Sequence, residues 1–343
     1  MQHHILDTGG AGYIGSHTTR QLLQAGYQVV VVDNLYSGNR WAVPENAIFA
    51  QHDAGETEAV CKLIKKHQIT AVIHFAGHIV VPESLSDPAK YYGNNVVTSL
   101  ELIKACRQTG VRYFIFSSSA AVYGIPKEVP VNEKALTAPI NPYGFSKLIT
   151  EWILRDIGNS DRINNIPPDQ RISYVALRYF NVAGASLDGS LGQATPNATH
   201  LIKVACEAAC AKRDHMAIFG TDYGTQDGTC VRDYIHVEDL ARAHVTALRY
   251  LLSGGESQTL NCGYGHGYSV REVIDMVQKV SRRQFNIVEA ERRPGDPPVL
   301  VADKARIHEV LGWIPKYDDL KMICETAYKW ENKLEQLHRK PGM

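Results

Sequence analysis

The chain has 343 residues, of which 44% are hydrophobic and 21% are charged, and its formal net charge is zero. This length allows a large core and predicts two domains, and the balanced charge gives no reason to expect nucleic acid or an anionic membrane as a partner. No apolar run approaches the ~18 residues that span a bilayer. The chain enters a strand at once, without the layout of a signal peptide, so we expect a cytoplasmic protein.

The first half of the chain alternates short apolar runs with helical patterns. Strands are predicted at residues 5–8, 28–33, 47–52, 71–74, 113–117 and 172–177. Helices are predicted between them at residues 16–25, 57–67, 96–109 and 143–157. Repetition of strand, helix and parallel strand predicts an α/β fold with a doubly wound (Rossmann) parallel sheet.

Two polar stretches interrupt this order in the second half of the fold. Residues 158–171 are predicted to form an exposed loop, and residues 184–196 the passage into a second domain. Helices at 199–211, 237–252, 269–280 and 318–337 and strands at 216–219, 259–261 and 285–289 follow. We therefore expect a dinucleotide-binding domain over residues 1–181, which segments around 233–262 also join. A smaller C-terminal α/β substrate-binding domain is expected over residues 182–343.

A glycine-rich turn, TGGAGYIG, follows the first predicted strand. Its glycines fit Gly-x-Gly-x-x-Gly (Gly10, Gly12, Gly15) and also Gly-x-x-Gly-x-x-Gly (Gly9, Gly12, Gly15). Such a turn lets a pyrophosphate approach the backbone at the N-terminus of the next helix. Asp33, at the end of the second strand, can accept hydrogen bonds from both ribose hydroxyls and would repel a 2′-phosphate, which favours NAD over NADP. The alternative is an aspartate that solvates a loop.

A second group of candidate residues consists of Ser119, Tyr143 and Lys147. Ser119 lies near the end of the fifth predicted strand, at the sheet edge where open α/β sheets bind ligands. Tyr143 and Lys147 form a Tyr-x-x-x-Lys pair on one helix face. A lysine in that place is expected to lower the pKa of the tyrosine, which can then act as a base. A solvated helix face is the alternative.

The seven cysteines and fourteen histidines are dispersed along the chain, without the spacing of metal ligands. The sequence therefore predicts no metal site. Buried thiols are the expected state of the cysteines.

The stretches TGGAGYIGSH, VVDNLYSGN, FIFSSSAAVYG, NPYGFSKL, LRYFNVAGA, DGTCVRDYIHV and RRPGDPP resemble those of a known family. The chain is similar to the extended short-chain dehydrogenase/reductases and, among them, to the UDP-glucose 4-epimerases, from Thr8 to about Asp303. This resemblance implies NAD-dependent interconversion of UDP-galactose and UDP-glucose through a 4-keto intermediate. It also implies a homodimer, formed by the helices near 96–109 and 143–157. An enzyme acting also or mainly on UDP-N-acetylhexosamines or UDP-pentoses, and a non-catalytic NAD-sensing regulator, are the alternatives.

The resemblance also assigns roles to individual residues. Tyr143 would be the base, Lys147 its partner, and Ser119 a hydrogen-bond partner of the sugar 4-oxygen. The implied cofactor site consists of Gly9, Gly12, Tyr13, Ile14, Gly15, Asp33, Asn34, Asp53, Phe75, Ala76, Gly77, Asn94, Tyr143, Lys147 and Tyr179. The implied substrate site consists of Ser119, Phe180, Asn181, His200, Leu201, Ala217, Phe219, Arg232, Arg293, Asp296 and Leu300.

The chemistry of the predicted substrate site agrees with a nucleotide diphosphate. Arg232 and Arg293 suit the diphosphate through charge-assisted hydrogen bonds, and the ring of Phe219 suits a flat base. For each arginine, a surface ion pair is the alternative. A 4,6-dehydratase would need an acid/base pair after Ser119, where this chain has Ala120 and Ala121.

Several positions depart from the pattern of the resembled family. Asp7 stands where an apolar strand residue is usual, and we expect it to bond a neighbour, with His74 as the candidate, because an unpaired buried carboxylate is costly. His78 and Ile79 replace a pair that often contains a lysine near the cofactor pyrophosphate. His200 replaces an asparagine that is often found beside the uridine diphosphate. Leu300 replaces a tyrosine at the edge of the sugar pocket, which would admit an N-acetyl group.

Overall fold

The computed structural model describes residues 3–293 and 295–338. The strands are β1 (His4–Thr8), β2 (Gln28–Val32), β3 (Ile48–Ala50), β4 (Ile69–His74), β5 (Tyr113–Ser119), β6 (Ser173–Tyr179), β7 (Asn181–Ala183), β8 (His215–Phe219), β9 (Val231–Arg232), β10 (Tyr234–His236), β11 (Gln258–Cys262), β12 (Tyr268–Ser269), β13 (Asn286–Ala290) and β14 (Val299–Leu300). The helices are α1 (Tyr13–Gln24), α2 (Thr57–His67), α3 (Val81–Ser86), α4 (Pro88–Tyr91), α5 (Thr98–Thr109), α6 (Pro142–Ile163), α7 (Leu201–Ala209), α8 (Val237–Leu252), α9 (Val270–Ser281), α10 (Ala305–Leu311) and α11 (Leu320–His338).

A seven-stranded sheet in the order β11-β6-β5-β4-β1-β2-β3 forms the centre of the molecule. All its strand pairs are parallel. Ile5, Leu6, Ile73 and Ile115 are completely buried, as apolar residues are in strands that have helices on both faces. The predicted doubly wound α/β fold is confirmed. The strand order reverses between β1 and β4, and ligands bind at such a switch point.

A later part of the chain, which contains α8 and β11, returns to the central sheet. β11 pairs with β6 and is the sheet's last strand, and α8 packs against α1. The remaining strands form small sheets, which are β8 with β13, β7 with β10, and β12-β9-β14. Helices α7, α9 and α11 pack together beside them. The β7/β10 sheet lies at the carboxyl-terminal end of β6, because β7 follows β6 after one residue.

Helix α6 is longer than the sequence predicts. It continues to Ile163, so the predicted loop at 158–171 is wrong over its first turn and a half. Asp161, in this extension, is buried and accepts a hydrogen bond from Arg107 of α5 at 2.8 Å. This tertiary contact prevails over the weak helix propensity of Gly158, Asn159 and Ser160. The predicted helix at 96–109 begins at Thr98, because residues 92–97 form a π-helix.

Asp7 has a hydrogen-bond partner, but the predicted partner, His74, is wrong. Its Oδ2 accepts a hydrogen bond from Thr19 of α1 at 2.7 Å. His74 instead bonds Thr8 at 2.7 Å and Ser99 at 2.9 Å. Burial raises the pKa of Asp7 well above 3.8, and the bond from Thr19 lowers it by less. Side chains of a strand alternate between faces, so Asp7 points toward α1 and away from His74.

Among the residues that the structure describes, no helix combines the length and apolar character of a membrane span. In the same residues, no three His, Cys, Asp or Glu side chains are grouped as metal ligands would be.

Candidate active site

A cavity of about 1040 Å³ opens at the carboxyl ends of the central strands. Every residue that the sequence analysis assigned to the cofactor or the substrate lines this cavity. It extends from the glycine-rich turn, past Tyr143, to the loop that carries Arg293. The fold therefore brings together residues that lie almost 300 positions apart in the chain.

The glycine-rich turn forms one end of the cavity. Gly9 has a φ of +82°, and a Cβ there would lie 2.6 Å from the backbone nitrogen of Ala76. A Cβ on Gly15 would lie 2.3 Å from the carbonyl oxygen of Gly9. Gly9, Gly12 and Gly15 line the cavity, whereas Gly10 packs against Val31 and Asp7. Of the two spacings that the sequence allowed, the cavity thus uses Gly-x-x-Gly-x-x-Gly.

Helix α1 begins at this turn with its backbone N–H groups available to a ligand. Its N-cap is Gly12, and no side chain in the described part of the chain caps it. Its first turn also carries no acidic residue. An uncapped helix N-terminus beside a narrow glycine surface suits a pyrophosphate.

Two carboxylates, Asp33 after β2 and Asp53 after β3, line the cavity. Asp33 accepts backbone hydrogen bonds from Ala11 at 3.0 Å and Leu35 at 2.8 Å. Burial raises its pKa, and these two bonds lower it by less. Each carboxylate oxygen has two acceptor sites, so Asp33 can still accept bonds from ribose hydroxyls. Asn34 donates to Asp53 at 2.9 Å, which holds both side chains at the cavity wall.

The rest of this wall comes from β4, α1 and the π-helix. It is lined by Tyr13, Ile14, Phe75, Ala76, Gly77 and Asn94. The hydroxyl of Tyr13 donates to the carbonyl of Gly184 at 2.6 Å. This bond connects the start of α1 to the segment that follows β7.

Ser119, Tyr143 and Lys147 meet in the middle of the cavity. Asn141 caps α6 by accepting from Gly144 at 2.8 Å, which places Tyr143 in the first turn. Burial raises the pKa of Tyr143, and a hydrogen bond with Ser119 lowers it by less.

Lys147 contacts the end of β5 in this structure, and its expected effect on the pKa of Tyr143 stays a prediction. Lys147 Nζ donates to the carbonyl of Ser117 at 2.8 Å and lies 5.9 Å from the centre of the Tyr143 ring. Burial lowers the pKa of Lys147 to about 8. The lysine is thus held by β5, and Ser119 is the side chain that lowers the pKa of the tyrosine.

Residues after β6 line the cavity next to Ser119. The hydroxyls of Tyr179 and Ser117 hydrogen-bond each other. Phe180 and Leu300 belong to one apolar cluster beneath the cavity. Asn181 opens β7 and lines the same wall.

The far end of the cavity is rich in cations. Arg232 donates to Asp296 at 2.8 Å, and the Arg293 guanidinium lies 3.8 Å from the centre of the Phe219 ring. A nucleotide at this end would therefore meet the ring and the cation together. Ala217 lies beside Phe219 on β8.

His200 and Leu201 form another part of this end, at the start of α7. The Nδ1 atom of His200 hydrogen-bonds the Gln193 amide nitrogen at 2.9 Å. Burial lowers the pKa of His200, which favours the neutral ring.

Some residues of the cavity were not identified from the sequence. Ser117 bonds both Lys147 and Tyr179, and the serine run at the end of β5 was the available signal. Tyr36 also lines the cavity, and the centre of its ring lies 4.8 Å from the centre of the His78 ring. Arg213 also lines the cavity, and no local pattern distinguished it from a surface arginine.

The fold and the site define a class of protein, a dinucleotide-binding enzyme whose cavity holds Tyr143 between the glycine-rich turn and a second, cationic end. The model of the NAD dependent epimerase/dehydratase family matches residues 5–263. The chain belongs to this family, and NAD is its cofactor.

Known relatives match almost the whole chain. The UDP-glucose 4-epimerase of Azospirillum brasilense is 53% identical over 97% of this chain and 93% of the relative. A UDP-glucose 4-epimerase from Brucella ovis, crystallised with NAD, is 44% identical with a TM-score of 0.90, over 95% of this chain and 97% of that one. The UDP-Glc/GlcNAc 4-epimerase of Campylobacter jejuni is 48% identical with a TM-score of 0.83, over 96% and 99%. The resemblance seen in the sequence is confirmed.

Proposed function

We propose that this chain is an NAD-dependent 4-epimerase that interconverts UDP-galactose and UDP-glucose. The observation that carries this proposal is one cavity that joins the glycine-rich turn, Tyr143 and the end formed by Arg232 and Arg293, which we call the arginine pocket. NAD fits its first end, because side chains are excluded at Gly9 and Gly15 and the α1 N-terminus is uncapped. The carboxylate of Asp33 favours NAD, since it would repel the 2′-phosphate of NADP.

Tyr143 is the proton carrier of this mechanism. When bound, NAD would supply a hydride acceptor for sugar C4, from which the hydride can return to the other face of the 4-ketone, and a positive charge that favours the phenolate form of Tyr143. As phenolate, Tyr143 takes the proton of the sugar 4-hydroxyl and becomes the neutral phenol, which later gives the proton back. Ser119 hydrogen-bonds Tyr143 and the 4-oxygen, and Lys147 holds the nicotinamide ribose.

The arginine pocket keeps the intermediate on the enzyme. Exchange of the two sugar faces requires the sugar to turn while the nucleotide stays fixed. Arg232 and Arg293 bind the diphosphate through charge-assisted hydrogen bonds, and Phe219 contacts the uracil. A ketosugar anchored in this way reacts again before it can leave.

A dehydratase of the same family is disfavoured. Ala120 and Ala121 directly follow Ser119, and they open a short 3₁₀ turn at the cavity wall. Neither side chain can transfer a proton to or from the sugar. A non-catalytic NAD sensor would not need Ser119, Tyr143 and Lys147 in one cavity.

The test is epimerisation of UDP-galactose by the purified protein without added NAD. We expect turnover, because NAD is regenerated in each cycle. Tyr143→Phe should lower kcat by about 10³-fold or more while bound NAD stays at its normal amount. Tyr113→Phe, at the start of β5, is the matched control. Unchanged turnover in the Tyr143 variant would exclude Tyr143 as the base.

A second substrate class is favoured by Leu300. This residue lines the cavity and packs against the apolar cluster that contains Phe180, and its side chain is smaller than the tyrosine of the resembled family. We propose that UDP-N-acetylglucosamine is also epimerised, an activity in the name of the Campylobacter jejuni relative. Absence of turnover with UDP-N-acetylglucosamine, in protein active on UDP-galactose, would reject this proposal.

We propose that the protein is a homodimer paired through α5, α6 and the π-helix before α5. Val97, Phe145 and Trp152 are large apolar residues exposed on this surface. Phe145 and Trp152 are two turns apart and so share a face of α6.

The domain division and the location of the protein also remain proposals. We propose an NAD-binding domain of residues 1–181 together with segments around 233–262, and a nucleotide-sugar-binding domain in the remainder of 182–343. The cytoplasm is proposed as the location because Cys106, Cys206, Cys262 and Cys324 are buried thiols, which a reducing compartment preserves. Limited proteolysis and cell fractionation test these two proposals.

A further inference from the structure

Helix α6 carries a further buried charged residue, Glu151, on the face of the two residues assigned to the reaction. Tyr143, Lys147 and Glu151 follow one another at intervals of four residues and so lie on one face of the helix. Glu151 is buried, yet it does not line the cavity. Its carboxylate faces β5 and β6 instead.

Glu151 forms a two-pronged ion pair with Arg178 of β6. The Arg178 Nε donates to Glu151 Oε1 at 2.9 Å, and Nη2 donates to Oε2 at 2.6 Å. The hydroxyl of Ser118 on β5 also donates to Oε1, at 2.5 Å. A planar guanidinium that binds both carboxylate oxygens fixes the orientation of the two side chains as well as their distance.

The third guanidinium nitrogen of Arg178 also donates a hydrogen bond. Its Nη1 donates to the hydroxyl of Tyr123 at 2.9 Å, and that hydroxyl donates to Asn261 Oδ1 on β11 at 2.6 Å. All of these residues are buried. The network therefore joins α6 to the three neighbouring strands β5, β6 and β11 with its polar groups paired, which favours one arrangement over others.

Both strand partners of Glu151 directly precede a residue of the cavity. Ser118 comes before Ser119, and Arg178 comes before Tyr179. Ser118 and Arg178 are opposite each other in the register of β5 and β6, and so are Ser119 and Tyr179. The ion pair thus connects the helix that carries Tyr143 to the two strand ends that carry its neighbours.

A buried ion pair in this position is better explained by geometry than by stability. Apolar residues of similar volume stabilise a fold as well as or better than a buried ion pair does. Proton transfer, in contrast, is sensitive to displacements of about 1 Å between the reacting groups. We propose that Glu151 and Arg178 are positioning residues of the proposed epimerase, and that their ion pair fixes Tyr143 relative to Ser119.

This inference rests on the proposed function, and it is tested with three variants of the full chain. Glu151→Gln and Arg178→Met each remove one partner, and the double variant Glu151→Leu/Arg178→Met replaces the pair by apolar side chains. For each, kcat and KM for UDP-galactose, the amount of bound NAD and the melting temperature are measured. Asp161→Asn is the matched control, because it weakens another ion pair of α6, with Arg107, outside the cavity.

We expect all three variants to lose about tenfold or more in kcat, with KM changed by less than about twofold, since the arginine pocket is intact. The single variants should melt at lower temperature, and the double variant should recover the melting temperature but not kcat. Asp161→Asn should keep the normal kcat.

A double variant with normal kcat would overturn the positioning role. The same conclusion would follow if KM and bound NAD worsened in step with the melting temperature, because that pattern indicates general loss of structure. Failure of the unsubstituted protein to epimerise would instead overturn the proposed function, and this assignment with it.

Discussion

Asp7 is a buried carboxylate in the strand that leads to the glycine turn. Its Oδ2 is bonded by Thr19, but its Oδ1 has no partner within the described residues. An unsatisfied buried oxygen lowers stability by about 1–3 kcal/mol. Because the pKa of Asp7 is raised on folding, its contribution to stability is fully present below pH 3.8 and is lost as pH rises toward the folded pKa.

Asp7→Asn should therefore stabilise the protein at pH 7, by about 1 kcal/mol. The amide cannot ionise, so the gain should shrink as the pH falls toward 4. Thermal unfolding of both proteins between pH 4.5 and 8 measures this. A gain that stays constant with pH would show that ionisation of Asp7 is not the cause.

Leu300 is expected to decide which sugars fit. Leu300→Tyr should reduce kcat/KM for UDP-N-acetylglucosamine by about tenfold or more, because the ring takes the space of the N-acetyl group. Turnover of UDP-galactose should change by less than about threefold. Leu300→Met, which conserves volume, is the control and should leave both activities unchanged. An equal loss on both substrates would exclude a selective role.

Gly15, in the first turn of α1, packs against the turn between β1 and α1 and has no space for a side chain. Gly15→Ala should abolish NAD retention, because the added carbon would lie 2.3 Å from the Gly9 carbonyl oxygen and displace the turn. Absorbance of the cofactor released from denatured protein measures the bound amount. Gly158→Ala in α6 is the control, since nothing lies within 4 Å of its added carbon and alanine is the better helix former by about 1 kcal/mol.

The exposed apolar face of α6 gives the prediction for the whole molecule. Trp152→Glu should convert a dimer into a monomer at micromolar concentration, because a charge in the centre of an apolar interface is desolvated without a partner. Light scattering coupled to size-exclusion chromatography measures the mass. Leu136→Glu, which changes an exposed leucine outside α5 and α6, should leave the mass unchanged. A monomeric unsubstituted protein would reject the dimer.

At the scale of the whole chain, the order of elements was predictable and the extent of α6 was not. Apolar runs with turn signals identified the strands of the central sheet, because such strands are buried on both faces. The end of α6 depends on the contact of Asp161 with Arg107, 54 positions away. Sequence periodicity cannot contain such information.

The sequence by itself determined the glycine-rich turn, the place of the Asp33 carboxylate after β2, and the placement of Tyr143 and Lys147 on one helix face. These features are local, since turns and helices place residues a few positions apart according to fixed geometry. Only the tertiary structure decided that Lys147 is held by Ser117 and that Thr19 bonds Asp7. It alone also joined Glu151 to Arg178. These contacts join separate elements, and their partners follow from how helices and strands pack against one another.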